Sequence, residues 1–345
     1  MLFGIEVPII QAPLAGSQGS ELAAAVSSAG GLGSLPCGLL SPEQMREEIA
    51  AIRARTDKPF ALNFFCHTPP PEVDTSAWRA KLARYYDELG ATDAPGASRR
   101  PFDEAACAVV EETKPAVVSF HYGLPPLPLL ERVRNTGATI LSSATTVDEA
   151  KWLAHGGCDA IIAQGFEAGG HRGMFLADDV ATQVGTLALV PQIVDAVRVP
   201  VIAAGGIGDA RGIVAAFALG ASAAQLGTAF LFCPEAKTSP LHREALARAK
   251  DNASALTNVF SGRPARGIVN RFVRELGPMA PDAPPFPLAG DASGPLRAAA
   301  EAKGSSEFSQ LWTGQAARLA RTMPAAELVA TLWREANELR ATLAT

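Results

Sequence analysis

The chain has 345 residues, 48% of them hydrophobic and 19% charged, with a net charge of −5. This is the composition of a globular protein with a sizeable core, and it excludes disordered and collagen-like chains. Charges of both signs are interspersed, so no basic stripe marks a nucleic-acid or lipid surface, and no apolar run nears the roughly 20 residues that span a bilayer.

The opening run, MLFGIEVPIIQAPLAG, lacks a charged segment followed by a long apolar one, so no secretory signal is expected. Val7–Gln11 predicts a first strand and Ser20–Ala29 a helix; Gly30 and its neighbours end that helix and lead into a second strand, Gly31–Leu35. Ser41–Arg55 predicts a helix with a serine N-cap and proline at its first position. Pro59–Phe64 predicts the third strand. Residues 68–100 then break the rhythm with Pro69-Pro70-Pro71, a helix around Trp78–Leu89 and a loose APGASRR segment. Strands Ala116–Phe120, Ala138–Ser142, Asp159–Ala163, Pro200–Ala204 and Ala223–Gly227 follow. Helices Pro125–Thr136, Thr146–His155, Leu187–Val197 and Asp209–Leu219 fall between them, and Gly137, Gly156 and Gly220 are candidate C-caps. From about Lys237 no further βα unit is expected, only a helical tail with a Pro-rich break.

Eight apolar strands without strict alternation read as a parallel sheet covered on both sides. With short connections they predict an α/β fold, a closed (β/α)8 TIM barrel. A bare barrel needs about 250 residues. The surplus predicts a smaller, mainly helical cap or substrate domain from residues 71–100 and 237–345, set over a barrel of residues 1–70 and 101–236. Five scattered cysteines, Cys37, Cys66, Cys107, Cys158 and Cys233, without a CxxC pair, suit reduced cytoplasmic usage better than disulfides or a zinc site.

Chemistry is expected at the C-terminal ends of the strands. After the sixth strand, Gln164–Gly173 holds four glycines with Glu167, His171 and Arg172. Gly169 and Gly170 would let a flat ligand approach the backbone, and His171 can exchange a proton near neutral pH. Gly205 and Gly206 after the seventh strand, with Gln225, Leu226, Gly227 and Thr228 after the eighth, occupy the usual phosphate position of this barrel. Ala12, Pro13, Leu14 and Ala15 would form a rigid wall, and Asn63 offers a donor and an acceptor to a heterocycle edge. His121 and Tyr122 follow the fourth strand and are candidate substrate contacts; His67 and His155 look bland, and no cluster has metal-ligand spacing.

The segments PIIQAPLAG, LNFF, SFHYGLP, QGFEAGGHRG, PVIAAGGI and QLGTAF resemble those of the nitronate monooxygenases, formerly 2-nitropropane dioxygenases, of the bacterial class I kind. SGRPARGIVNRF and SQLWTGQAARL in the tail resemble that family's C-terminal segments. The resemblance implies non-covalent FMN touching Asn63, Gln164, Gly169, Gly206 and the Gln225–Thr228 strand end, with His171 as the catalytic histidine. It implies oxidation of an alkyl nitronate, such as propionate 3-nitronate, by O2 to a carbonyl compound and nitrite, with an oligomer allowed. The glycine-rich motif is shared with NADH:quinone reductases and flavin-dependent enoyl-acyl-carrier-protein reductases, so an NAD(P)H-dependent flavin reductase stays open. A phosphosugar isomerase or aldolase also stays open, although no lysine ends an assigned strand. Similar enzymes carry tyrosines in the substrate pocket, whereas this chain has only Tyr85, Tyr86 and Tyr122.

Overall fold

The computed structural model describes residues 2–92 and 99–344, so residues 94–98 of the segment expected to be loose lie outside the described residues. The strands are β1 (Ile9–Gln11), β2 (Gly33–Pro36), β3 (Phe60–Phe65), β4 (Val117–His121), β5 (Thr139–Ala144), β6 (Ala160–Gln164), β7 (Gly170–His171), β8 (Val201–Ala204), β9 (Ala223–Leu226), β10 (Ser254–Thr257) and β11 (Ala265–Ile268). Eight of them pair in parallel in the order β1-β9-β8-β6-β5-β4-β3-β2, and an Ile10–Leu32 bridge returns β2 to β1. The chain therefore forms the expected (β/α)8 barrel, with β8 and β9 as its seventh and eighth strands.

Side chains alternate between two apolar environments, which is why the strands show no polar face. Ile10, Leu32, Ala61, Val117, Leu141, Ile162 and Ile202 fill the barrel interior. Ile9, Leu62, Phe64, Val118, Ile140, Ile161, Ala203 and Leu226 face the helices. One inward position further along, at the C-terminal end, the side chains become Asn63, Ser119, Ser143, Gln164 and Gln225, a polar tier that lines a cavity.

The helices are α1 (Ser20–Ser28), α2 (Pro42–Arg53), α3 (Ser76–Leu89), α4 (Glu104–Thr113), α5 (Leu127–Asn135), α6 (Val147–His155), α7 (Thr186–Ala196), α8 (Ala210–Ala218), α9 (Pro240–Arg248), α10 (Arg271–Leu276), α11 (Leu288–Ala302) and α12 (Ala325–Leu343). The Ser41 capping box on α2 is present, with Ser41 Oγ accepting from Gln44 N at 3.2 Å. Helix α4 was not among the expected elements; Asp103 caps it by accepting from Ala106 N at 2.9 Å. Gly137 and Gly220 take the left-handed conformation expected of them, but Gly156 stays helical and Gly157 makes the reversal at φ +90°.

Two features of the tail differ from expectation. Helix α12, placed with the cap by sequence, packs between α8 and α1 and completes the outer ring. Leu328, Val329 and Leu332 are buried there, each contributing on the order of 1.5–3 kcal/mol. The tail is also not purely helical: β10 and β11 form an antiparallel hairpin that pairs with β7, so the loop carrying His171 is itself a strand edge. The rest of the tail shares a second, smaller core with α3, built on Trp78, Leu82, Tyr85, Phe260, Phe272, Leu296 and Phe308.

Candidate active site

The cavity at the C-terminal end of the barrel has a volume of about 360 Å³, within the usual range for small-molecule sites. Ala12, Pro13, Leu14 and Ala15 form one wall, and Asn63, Gln164, Gly169, Gly170, His171, Gly205, Gly206, Gln225, Gly227, Thr228 and His121 complete much of the lining. Asn63 is held by its amide nitrogen, which donates to Ser119 Oγ at 2.9 Å. No tyrosine of the described residues lines the cavity.

Two expected residues do not line it. Leu226 points outward into the helix layer, because alternation sends its neighbour Gln225 inward. Tyr122 lies behind the cavity at φ +73°, its ring 4.5 Å from that of His121 and covered at 4.0 Å by the Arg263 guanidinium.

One end of the cavity suits an anion. Gly205 and Gly206 turn with φ of +114° and +69°, and a Cβ on Gly205 would sit 2.9 Å from Thr186 Oγ1. Asp209 caps α8 by accepting from Arg211 N at 3.0 Å and Gly212 N at 3.4 Å. The amides of Gly206, Ile207 and Gly208 have no acceptor among the described residues. They and the Gly227-Thr228 turn form the donor cluster that phosphate sites use.

Residues 313–316 of the tail lie across this end, a contribution that sequence reading missed. Gly314 N donates to Thr228 Oγ1 at 2.8 Å, and Gln315 N donates to the Glu167 carbonyl at 3.1 Å. The strap needs Gly169, whose Cβ would meet Gly314 N at 2.5 Å.

His171 is positioned from both sides. Gln164 Nε2 donates to its carbonyl at 3.0 Å while Gln164 Oε1 accepts from Gly173 N at 2.7 Å, so the Gln164 amide braces the loop. His121 Nε2 donates to the same carbonyl at 3.3 Å, which leaves His121 Nδ1 to accept from Ser143 Oγ at 2.5 Å. Both nitrogens of His121 are thereby used in holding the strand. The His171 ring lies 5.4 Å from Trp312 and 5.5 Å from Phe286. Its Nε2 is 2.8 Å from Ser261 Oγ, which itself donates to the Arg263 carbonyl at 3.3 Å. Nε2 is thus the donor, and Nδ1 keeps its lone pair with no protein partner among the described residues.

Burial, then the charges of Arg99 and Arg263, hold His171 well below the usual imidazole range. Burial, reinforced by Arg263, also pushes His121 down to about 3 and His67 to about 4, and burial takes His242 to about 4. These histidines fold neutral, so between pH 6.5 and about 4 the unfolded chain binds more protons than the folded one. Stability is therefore present above pH 6.5 and lost as pH falls. The thermal midpoint should drop steadily between pH 6.5 and 4, the four histidines together costing several kcal/mol; a midpoint flat over that interval in differential scanning calorimetry would contradict their neutrality.

Arg172, the guanidinium of the glycine-rich motif, is fully buried and turned away from the cavity. It donates to the carbonyls of Gly165 at 2.6 Å and Gln164 at 2.8 Å and to Gln183 Oε1 at 2.9 Å, clamping the end of β6. Arg172→Met strands these acceptors and should destabilise the protein by about 3–5 kcal/mol, read as a fall in the urea midpoint. An unchanged midpoint would show that the clamp is dispensable.

A model of the nitronate monooxygenase family matches residues 1–335. The chain is 46% identical to a nitronate monooxygenase of Paraburkholderia phytofirmans, over 98% of this chain and 94% of that one. The structure of a nitroalkane oxidase from Streptomyces ansochromogenes superposes with a TM-score of 0.92 at 40% identity, covering 99% of this chain and 98% of the other. FabK from Thermotoga maritima superposes with a TM-score of 0.77 at 29% identity, covering 99% and 96%.

Proposed function

The chain belongs to the nitronate monooxygenase family, an oxidoreductase family, and from that premise we propose that it binds FMN and oxidises alkyl nitronates with O2 to a carbonyl compound and nitrite. The observation that carries this reading is the juxtaposition, in one cavity, of an imidazole whose Nδ1 has no protein partner among the described residues and a phosphate-type donor cluster.

The residues present fit FMN. Gly205, Gly206, Gly227 and Thr228 would hold its phosphate, Ala12–Ala15 would support its ring, and Asn63, Gln225 and the Gly169-Gly170 backbone would meet the ring's polar edge. When bound, FMN supplies the electron acceptor that lets a nitronate carbon react with O2. His171 Nδ1 takes the α-proton of a neutral nitroalkane and then donates a hydrogen bond from that nitrogen to the nitronate oxygen. The new nitronate charge offsets the protonation of an imidazole whose surroundings disfavour it. Trp312 and the 313–316 strap, which line the cavity, would keep water from the reacting atoms.

A visible spectrum of the purified protein, followed by O2 uptake, tests the proposal. A flavin spectrum and nitronate-driven O2 uptake without NADPH are expected. Rapid anaerobic bleaching by NADPH with no nitronate-driven uptake would replace it with a reductase of quinones or enoyl thioesters. A colourless protein that takes up no flavin would favour a phosphosugar enzyme.

A further inference from the structure

We propose that a second cavity, on the helix side of the barrel wall at the ends of β2 and β3, is the route by which O2 reaches the first cavity. The inference rests on the nitronate reading above, because that reading makes O2 a substrate.

The second cavity has a volume of about 330 Å³ and lies between the starts of α2 and α4. Its floor is apolar: Cys37, Met45, Phe64, Phe102 and Ala106 line it, and all five are buried. The Phe64 and Phe102 rings meet edge to face with centres 4.8 Å apart. Gln44, Arg100 and Ala105 line it too and are exposed, so they mark where it opens to solvent.

One turn of chain separates this space from the first cavity. Leu40 N donates to the Cys37 carbonyl at 3.0 Å, and the two residues inside that turn are Gly38 and Leu39. Gly38 lines the second cavity, and Leu39 lines both. Alternation at the end of β3 turns Phe64 toward the second cavity and Phe65 toward the first. Gly38 packs directly on the Phe65 ring, since a Cβ there would sit 2.7 Å from Phe65 Cδ2. The partition is therefore Gly38, Leu39 and the Phe65 ring, with no charged group in it. Leu39 is 36% exposed, and exposed side chains change rotamer within picoseconds to nanoseconds, so this partition opens without backbone movement.

The proposed chemistry calls for such a route. O2 has to meet a nitronate already seated with FMN in the first cavity, whose phosphate end is crossed by the 313–316 strap. An apolar passage admits a small apolar gas and disfavours ions and unpaired polar groups. Cavities lined by Leu, Ile and Phe side chains take up xenon, another apolar gas.

Kinetics with O2 as the varied substrate test this on the flavin-loaded enzyme. Ala105→Trp, at the opening, and Ala106→Leu, at the floor, add bulk to the second cavity, and neither residue lines the first. Each should lower kcat/KM for O2 by about 10-fold and leave the anaerobic response of the flavin spectrum to propionate 3-nitronate unchanged. Ala105→Ser, with almost no added bulk, should behave as the unaltered protein. Xenon-pressurised crystals of the unaltered protein should hold xenon against Phe64 and Phe102, a readout that does not depend on either variant folding. An unchanged kcat/KM for O2 in folded Ala105→Trp, or a second cavity that takes up no xenon, would overturn the route and leave the nitronate reading standing. Variants that weaken the nitronate response together with kcat/KM for O2 would also overturn it, since the disturbance would then lie in the first cavity. No nitronate-driven O2 uptake by the unaltered protein would remove the nitronate reading and the route with it.

Discussion

His171→Asn is expected to lower nitronate turnover by about 10²–10⁴-fold while the protein keeps its flavin spectrum and thermal midpoint. The side chain lines the cavity, with Nε2 committed to Ser261 and Nδ1 without a protein partner among the described residues. Asparagine can still make a hydrogen bond there, but it cannot accept a proton. The backbone anchors of residue 171, from Gln164 and His121, use its carbonyl and are unaffected by the substitution. Cofactor retention is therefore as informative as lost turnover. The pH profile sharpens the test. Because burial and the surrounding cations depress the His171 pKa, kcat/KM, which reports the free enzyme, should show no His171 limb from pH 6.5 upward. Full activity in the variant would remove His171 from the chemistry, and a limb near neutrality that disappears in the variant would show that the imidazole is charged in the resting protein.

The second large effect is expected at Gly227. A Cβ there meets nothing nearer than Ala12 Cβ at 3.6 Å and Leu14 Cδ2 at 3.8 Å, so Gly227→Asp should fold while adding a carboxylate to the turn proposed to hold the FMN phosphate. Juxtaposed like charges cost several kcal/mol, so flavin affinity should fall by about 10²-fold or more and the purified protein should be colourless. Gly227→Ser, similar in size and neutral, should bind almost normally. Gly205→Ala differs in kind: at φ +114° and 2.9 Å from Thr186 Oγ1, it strains the backbone and should reduce stability as well as binding. Flavin binding by Gly227→Asp equal to that of the unaltered protein would move the phosphate away from the β8 and β9 loops.

Much of the barrel was legible from residues alone, because its signals are local. An apolar run bounded by glycine and followed by an amphipathic stretch specifies a strand and its crossover helix within about 30 residues. The same locality reveals the Gly205-Gly206 and Gly227-Thr228 turns, and the position of His171 after β6. Alternation also held one piece of unused information: an inward Gln225 requires an outward Leu226. Helix α4 was missed for a related reason, since it follows the 68–100 interruption and its pattern of Ala106, Cys107, Val109 and Val110 is short.

Interactions between near neighbours in the chain therefore set the barrel and the glycine turns at its C-terminal end. Long-range packing sets how that end is closed. The pairing of β7 with β11 joins residues 170–171 to 265–266, the strap brings residue 314 to 228, and α12 completes a ring begun by α1. It also decided which side chains the cavity receives, adding Arg99, Arg297 and Trp312 and setting Tyr122 behind it. These contacts span about 86 to 300 residues of sequence, and no periodicity encodes them. They form because the second core folds onto the polar tier, burying apolar surface that neither segment can bury alone.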